Sequence, residues 1–241
     1  MKQHEAVTQT LERLGGIATL GQLNQEVFKI KECEWKTKTP FASIRRIVQT
    51  TDGIFKIKPG LYGLEKYRRK LELEGITTQE TISKQSTDFN HSYYQGLLVE
   101  IGNFKKFETY IPPQDRNKLF LKKPLGEVST ITKIHEFSYP SLINRAKTVD
   151  VIWFNERKLL SSLFEVEHST DIQNSLLKYN DLQDFYTQFY IVSAIERKQE
   201  FESKLGYAAF KEISNRVKFI DYNYVSDLHT KLSELDALGS L

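Results

Sequence analysis

The sequence predicts two folds in series: a small helical piece closed by a β-hairpin, then a larger α/β (α+β) domain with a mixed central sheet. Three observations predict this. Residues 1–70 hold three short amphipathic helical patterns followed by an alternating hairpin pattern. From residue 91 to residue 241, apolar strand-like runs alternate with helical patterns, the arrangement of a layered α/β sheet. Between them, residues 71–90 are rich in Thr, Ser, Gln and Glu and read as a polar linker.

Charge follows the same division. The chain of 241 residues has a net charge of only +3. Residues 1–70 hold 14 Lys and Arg against 7 Asp and Glu, a local +7, and the remainder is −4. A basic piece joined to an acidic one suggests that the first meets a polyanion. No apolar run approaches the roughly 20 residues of a membrane span, so no membrane partner is expected. Met1-Lys2-Gln3-His4-Glu5 lacks the apolar core of a secretory signal. Cys33 stands alone, which excludes an internal disulfide and favours a reducing, cytoplasmic setting.

The first helix places Val7, Leu11 and Leu14 on one face and stops at Gly15-Gly16. The second opens at Thr19 with Gln22 three residues on, a capping box, and turns Leu20, Leu23 and Val27 inward. The third opens at Thr39-Pro40, with Phe41, Ile44 and Val48 as its apolar face. Its other face carries Ser43, Arg45, Arg46 and Gln49. Ile54 to Lys58 alternates as a strand, Pro59-Gly60 turns, and Leu61-Tyr62-Gly63-Leu64 returns. Three helices and a hairpin describe a winged-helix domain, whose third helix would enter the major groove while Lys56 and Lys58 lie on the wing. The Thr39-Pro40…Ser43-Ile44-Arg45 helix start and the Gly53-Ile54-Phe55…Gly60-Leu61-Tyr62-Gly63-Leu64 wing resemble the HARE-type winged helix-turn-helix over roughly residues 3–66. That resemblance implies binding of double-stranded DNA and a role in sensing modified bases. A protein-interaction module, with Arg45 and Arg46 as a solvated pair, is the alternative.

A helix over His91 to Ile101 turns Tyr94, Leu97, Leu98 and Ile101 inward and ends at Gly102-Asn103. Glu100 stands near its C-terminal end, where the dipole disfavours an anion unless a cation is near. Phe107 to Ile111 reads as a strand. Two acidic strands follow: Val149-Asp150-Val151-Ile152-Trp153-Phe154, then Leu163-Phe164-Glu165-Val166-Glu167-His168. A carboxylate in an apolar strand is costly without a partner. Glu165 and Glu167, two apart, emerge on one face. With Asp150 on a neighbouring strand they can converge on Mg2+, or Mn2+, since hard oxygen ligands suit such ions. Ser169 or Thr170 should cap a helix over about 172–185, and further elements follow at 190–194, 196–204, 217–220 and from 225. His168 reads as a strand-end histidine.

Helix, strand with Asp, strand with Glu-x-Glu, then helix resembles the PD-(D/E)XK nuclease superfamily over roughly residues 91–222. The resemblance implies a nuclease-like fold, metal ligation by Asp150 and Glu165, and assistance from Glu100. Two departures stand out: Val149 replaces the motif proline, and Glu167 occupies the lysine position. Glu167 could act as general base or hold a second ion. Lys178 could restore the missing cation by projecting back, or be a solvated helix residue. The chemistry expected is hydrolysis of DNA phosphodiester bonds, restriction-like and specific for sequence or modification. Cutting both strands calls for two sites and hence a homodimer when cleaving. A DNA-binding regulator or modified-base reader that no longer cuts is the rival. No Gly-x-Ser-x-Gly elbow and no phosphate loop GxxxxGK[ST] occur, so neither a serine hydrolase nor a nucleotide cofactor is expected.

Overall fold

The computed structural model describes residues 1–77 and 84–239. They form two units, one of Met1–Phe89 together with the chain from Ser226 onward, the other of Asn90–Val225. The sequence reading ran the second piece through to residue 241, whereas by contacts the last helix groups largely with the first unit. Of the expected linker 71–90, residues 78–83 lie outside the described residues.

In the first unit, α1 (Gln3–Arg13), α2 (Leu20–Glu26) and α3 (Pro40–Thr50) surround a three-stranded antiparallel sheet, β1 (Ile17–Thr19), β2 (Ile54–Lys58) and β3 (Leu61–Leu64), in the order β1-β3-β2. A short α4 (Arg68–Leu73) follows. The apolar stripes meet in one core containing Val7, Leu11, Leu23, Val27, Ile44 and Val48. The capping box at α2 forms: Gln22 N donates to Thr19 Oγ1 at 3.0 Å, and Thr19 N donates to Gln22 Oε1 at 3.0 Å. The expected Thr39 cap does not, because its side chain makes no cap bond. The Thr39 backbone, at φ −129° and ψ 65°, is not in the extended conformation of an N-cap. Gly60, at φ +68°, supplies the left-handed residue the hairpin turn needs.

The second unit is built on a five-stranded mixed sheet. Its elements are α5 (Lys84–Phe104), β4 (Glu108–Tyr110), the small hairpin β5 (Leu119–Phe120) and β6 (Lys123–Pro124), α6 (Leu125–Val128), α7 (Pro140–Ala146), β7 (Val151–Phe154), β8 (Leu160–Glu167), α8 (Ile172–Asp181), β9 (Gln188–Ser193), α9 (Lys198–Leu205), β10 (Val217–Asp221) and the start of α10 (Tyr222–Gly239). The sheet order is β10-β9-β8-β7-β4, parallel among β8, β9 and β10 and antiparallel elsewhere. One face stacks Trp153, Phe164 and Tyr190 across neighbouring strands, at centroid distances of 4.5 and 4.8 Å. On that face the Trp153 indole N–H donates to the Leu98 carbonyl of α5 at 3.0 Å. The other face buries Ile152, Leu163, Phe189 and Ile191 with Leu176 and Tyr179 of α8. α5 starts seven residues before the expected helix, and Asp171 rather than Ser169 or Thr170 caps α8, accepting from Gln173 N at 2.9 Å. No helix among the described residues is long and apolar enough to cross a membrane.

Candidate active site

The β7–β8 pairing brings the acidic residues together. Val151 pairs with Phe164, and continuing that register sets Asp150, one residue before β7, opposite Glu165. Asp150 Oδ2 accepts from Val166 N at 2.8 Å, which fastens the carboxylate to the neighbouring strand. Glu165 and Glu167 lie on the α8 face of β8, and the Ser175 hydroxyl of that helix lies within hydrogen-bond reach of both. Both side chains are almost fully buried, Glu165 at 2% and Glu167 at 4% exposure. Burial, and then the Asp150 charge, pushes the Glu165 carboxyl well above the usual carboxylate range, against the pull of Lys178.

Lys178 projects back from α8, and its ammonium lies 2.9 Å from each Glu165 oxygen and 3.1 Å from the Thr148 carbonyl. Burial works to lower this ammonium, but the Glu165 charge and hydrogen bond outweigh it and leave Lys178 raised. Lys178 thus sets an ammonium on Glu165 from the helix that follows β8. Glu167 is held differently: Ser175 donates to Oε1, Thr170 to Oε2, and Arg197 Nη1 to its carbonyl at 3.1 Å.

Glu100 does not share the face of α5 that reaches Asp150. The residues of α5 that reach Asp150 are His91, with Nε2 3.5 Å from Oδ1, and Gln95, whose Nε2 donates to the Asp150 carbonyl at 3.2 Å. Position 100 lies about 180° round the helix from position 91. Asp115, from the turn after β4, joins instead: it accepts from Gln95 Nε2 at 2.9 Å and pairs with Lys118 at 2.7 Å. Burial opposes protonation of His91, yet the nearby Asp150 carboxylate, with Asp115 behind, leaves its pKa raised. Sequence reasoning missed His91, Gln95 and Asp115. The available signal was a glutamine inside an apolar helical run, one turn after a histidine. His168 sits just beyond β8, with Nε2 3.4 Å from Asn90 Nδ2.

In the first unit, Ser43, Arg45, Arg46 and Gln49 lie on α3 as expected, but two are engaged within the unit. Arg45 Nη2 is 3.2 Å from Glu234 Oε1 of α10, and Gln49 lies beside Tyr62. Arg46 and Lys56 are exposed and Lys58 is half-buried. The Gly60 turn lies against Ser226 of α10, so that a Cβ there would collide with its hydroxyl.

A cleft of about 710 Å³ in the second unit, lined by Tyr110, Arg116, Lys133 and Lys147 among others, includes none of the clustered carboxylates. The clustered carboxylates lie at the β7–β8 end and not in that cleft.

Fold and cluster together define a mixed-sheet α/β protein with a lysine-paired carboxylate centre. The chain belongs to the family described as the Type II restriction enzyme NmeDI C-terminal domain, which matches residues 73–240. It is 25% identical over 150 residues to the Type II restriction enzyme NmeDI of Neisseria meningitidis serogroup C, a match covering 58% of this chain and 42% of that protein. The chain thus spans under half the length of the curated relative it matches. No solved structure matches the chain.

Proposed function

We propose that the protein is a metal-dependent endonuclease that hydrolyses double-stranded DNA in the manner of a type II restriction enzyme. The observation that carries this reading is the Lys178 ammonium seated on the buried Glu165 carboxylate beside Asp150. Membership of the restriction-enzyme family supports the substrate.

The donor set suits a hard divalent ion. Burial and the Asp150 charge raise Glu165, a repulsion that a cation between them would relieve. Asp150 and Glu165 would hold Mg2+, and Mn2+ can replace it. When bound, the ion lowers the pKa of water and neutralises charge developing on the phosphate. The chain's own residues do the rest. Lys178 presents a fixed positive charge where the pentacovalent phosphate gains negative charge. Ser175, shared by Glu165 and Glu167, fixes the two carboxylates relative to each other. Val166 N fixes Asp150.

The first unit reads as a winged helix that positions the duplex, with Arg46, Lys56 and Lys58 as phosphate contacts and Ser43, Arg45 and Gln49 toward the bases. Two such chains would cut both strands, in the cytoplasm and without a nucleotide cofactor. Lys178 favours this reading over an inactive regulator or modified-base reader, because the cation missing from β8 is present on α8.

The test is incubation of long, mixed-sequence DNA with the protein and Mg2+, using unmodified and cytosine-modified substrate. Discrete fragments are expected, and fragments from one substrate alone would show modification sensing. Retention of DNA without any cutting, with Mg2+ or Mn2+, would favour the reader.

A further inference from the structure

We propose that His91, Asp115 and Asp150 form a second divalent-cation site, sharing Asp150 with the Asp150–Glu165 pair and selecting ions that accept an imidazole ligand, Mn2+ before Mg2+. It deepens the nuclease reading, because Asp150 would then serve two ions, yet it is measurable without DNA.

Three elements distant in sequence build the site: His91 from α5, Asp115 from the turn after β4, and Asp150 before β7. One ligand atom of each lies within 4.8 Å of the others. His91 Nε2 is 3.5 Å from Asp150 Oδ1 and 3.9 Å from Asp115 Oδ2. Charge-assisted hydrogen bonds are shorter, about 2.7–2.9 Å. Two ligands at about 2.1 Å from one ion can be up to about 4.2 Å apart, so the His91 spacings suit a shared ion better than direct pairing.

Both carboxylates are held in place with one oxygen facing His91, and on Asp115 that oxygen also accepts from Gln95. Asp115 fastens Oδ1 to Lys118 at 2.7 Å and turns Oδ2 toward the ring. Asp150 fastens Oδ2 to Val166 N and turns Oδ1 toward it. Anchored carboxylates of this kind present a fixed, partly desolvated pair of oxygens, with Asp115 4% exposed.

Gln95 gives an independent indication. It is fully buried one helical turn after His91, and its amide sits on the cluster, donating to Asp115 Oδ2 at 2.9 Å and to the Asp150 carbonyl at 3.2 Å. Its Oε1 has no donor among the described residues. A buried carbonyl oxygen needs a donor, and the water shell of a hydrated cation would bring one. Imidazole with two carboxylates suits Mn2+ and later first-row ions better than Mg2+, which prefers oxygen alone.

The test uses the full chain, free of DNA, titrated with Mn2+ and followed by electron paramagnetic resonance. Two Mn2+ per chain are expected, with nitrogen modulation of the spin echo from the His91 ring. His91→Ala and Asp115→Asn should each remove one ion, or weaken it by about tenfold or more, and abolish the nitrogen modulation. Glu165→Gln should remove the other ion and keep the modulation. A wild-type protein that binds Mn2+ without nitrogen modulation overturns the proposal, and that outcome depends on no variant folding. Unchanged Mn2+ stoichiometry in folded His91→Ala overturns it equally. Failure to cut DNA with both ions bound would contradict the nuclease reading and leave this site standing.

Discussion

The two units place their charged residues in opposite ways. In the first, the basic residues of α3 and β2 stand at or near the surface, and Arg45, half exposed, meets Glu234 across it. In the second, Glu165 and Glu167 are buried on a strand, and partners converge on them from α8 and the chain just before it. Exposed charges cost little and contribute little to stability. Buried charges persist only when others satisfy them, so the buried cluster carries the sharper functional information.

Variants can break or sharpen this contrast. The largest loss of stability is expected from Lys178→Ala, which strands Glu165 beside Asp150 without its cation. Breaking a mostly buried pair from one side should cost about 3 kcal/mol, read as a lower urea midpoint with an unchanged slope. Gly96→Ala comes next, since a Cβ there would strike the Phe120 ring. Overpacking at this point of α5 should cost about 2 kcal/mol, seen in the same unfolding experiment.

The caps of the first unit give a smaller and internally controlled comparison. Thr19→Ala removes a side chain that accepts from Gln22 N, and should cost about 1 kcal/mol. Thr39→Ala removes a side chain that makes no cap bond, and should be near neutral. Equal losses would contradict the capping assignment. Arg45→Ala should change stability least, within about 0.5 kcal/mol, because its pair with Glu234 is exposed. If α3 meets DNA, Glu234→Ala should instead strengthen binding by freeing Arg45, measured by fluorescence anisotropy at two salt concentrations. Arg46→Ala should lower the salt dependence by about one phosphate contact.

Much of the fold was legible in the sequence because the long elements carry clear periodicity. The faces of α1, α2 and α3 and the β2–β3 hairpin follow directly from their apolar spacing. β1, β5, β6, α6 and α7 escaped, being of two to seven residues, too short for a period to show. Asp150 and Glu165 stood out as charges among apolar neighbours. For Lys178 the sequence left two readings, a cation projecting back or a solvated helix residue, and only the α8 packing on β8 turns it toward Glu165. His91, Gln95 and Asp115 were hidden for the same reason: their meeting with Asp150 is a product of tertiary packing. Glu100 drew attention by its position on α5, but the helix turns His91 and Gln95 toward Asp150 instead.

The most direct measurement is the rate of Mg2+-dependent cleavage of one DNA substrate by the wild type, Asp150→Ala and Lys178→Ala, each checked for folding and DNA binding. Cutting is expected from the wild type, none detectable from Asp150→Ala, and a loss of about 100-fold or more from Lys178→Ala, with DNA still bound by all three. Cutting by a folded Lys178→Ala at the wild-type rate would contradict this.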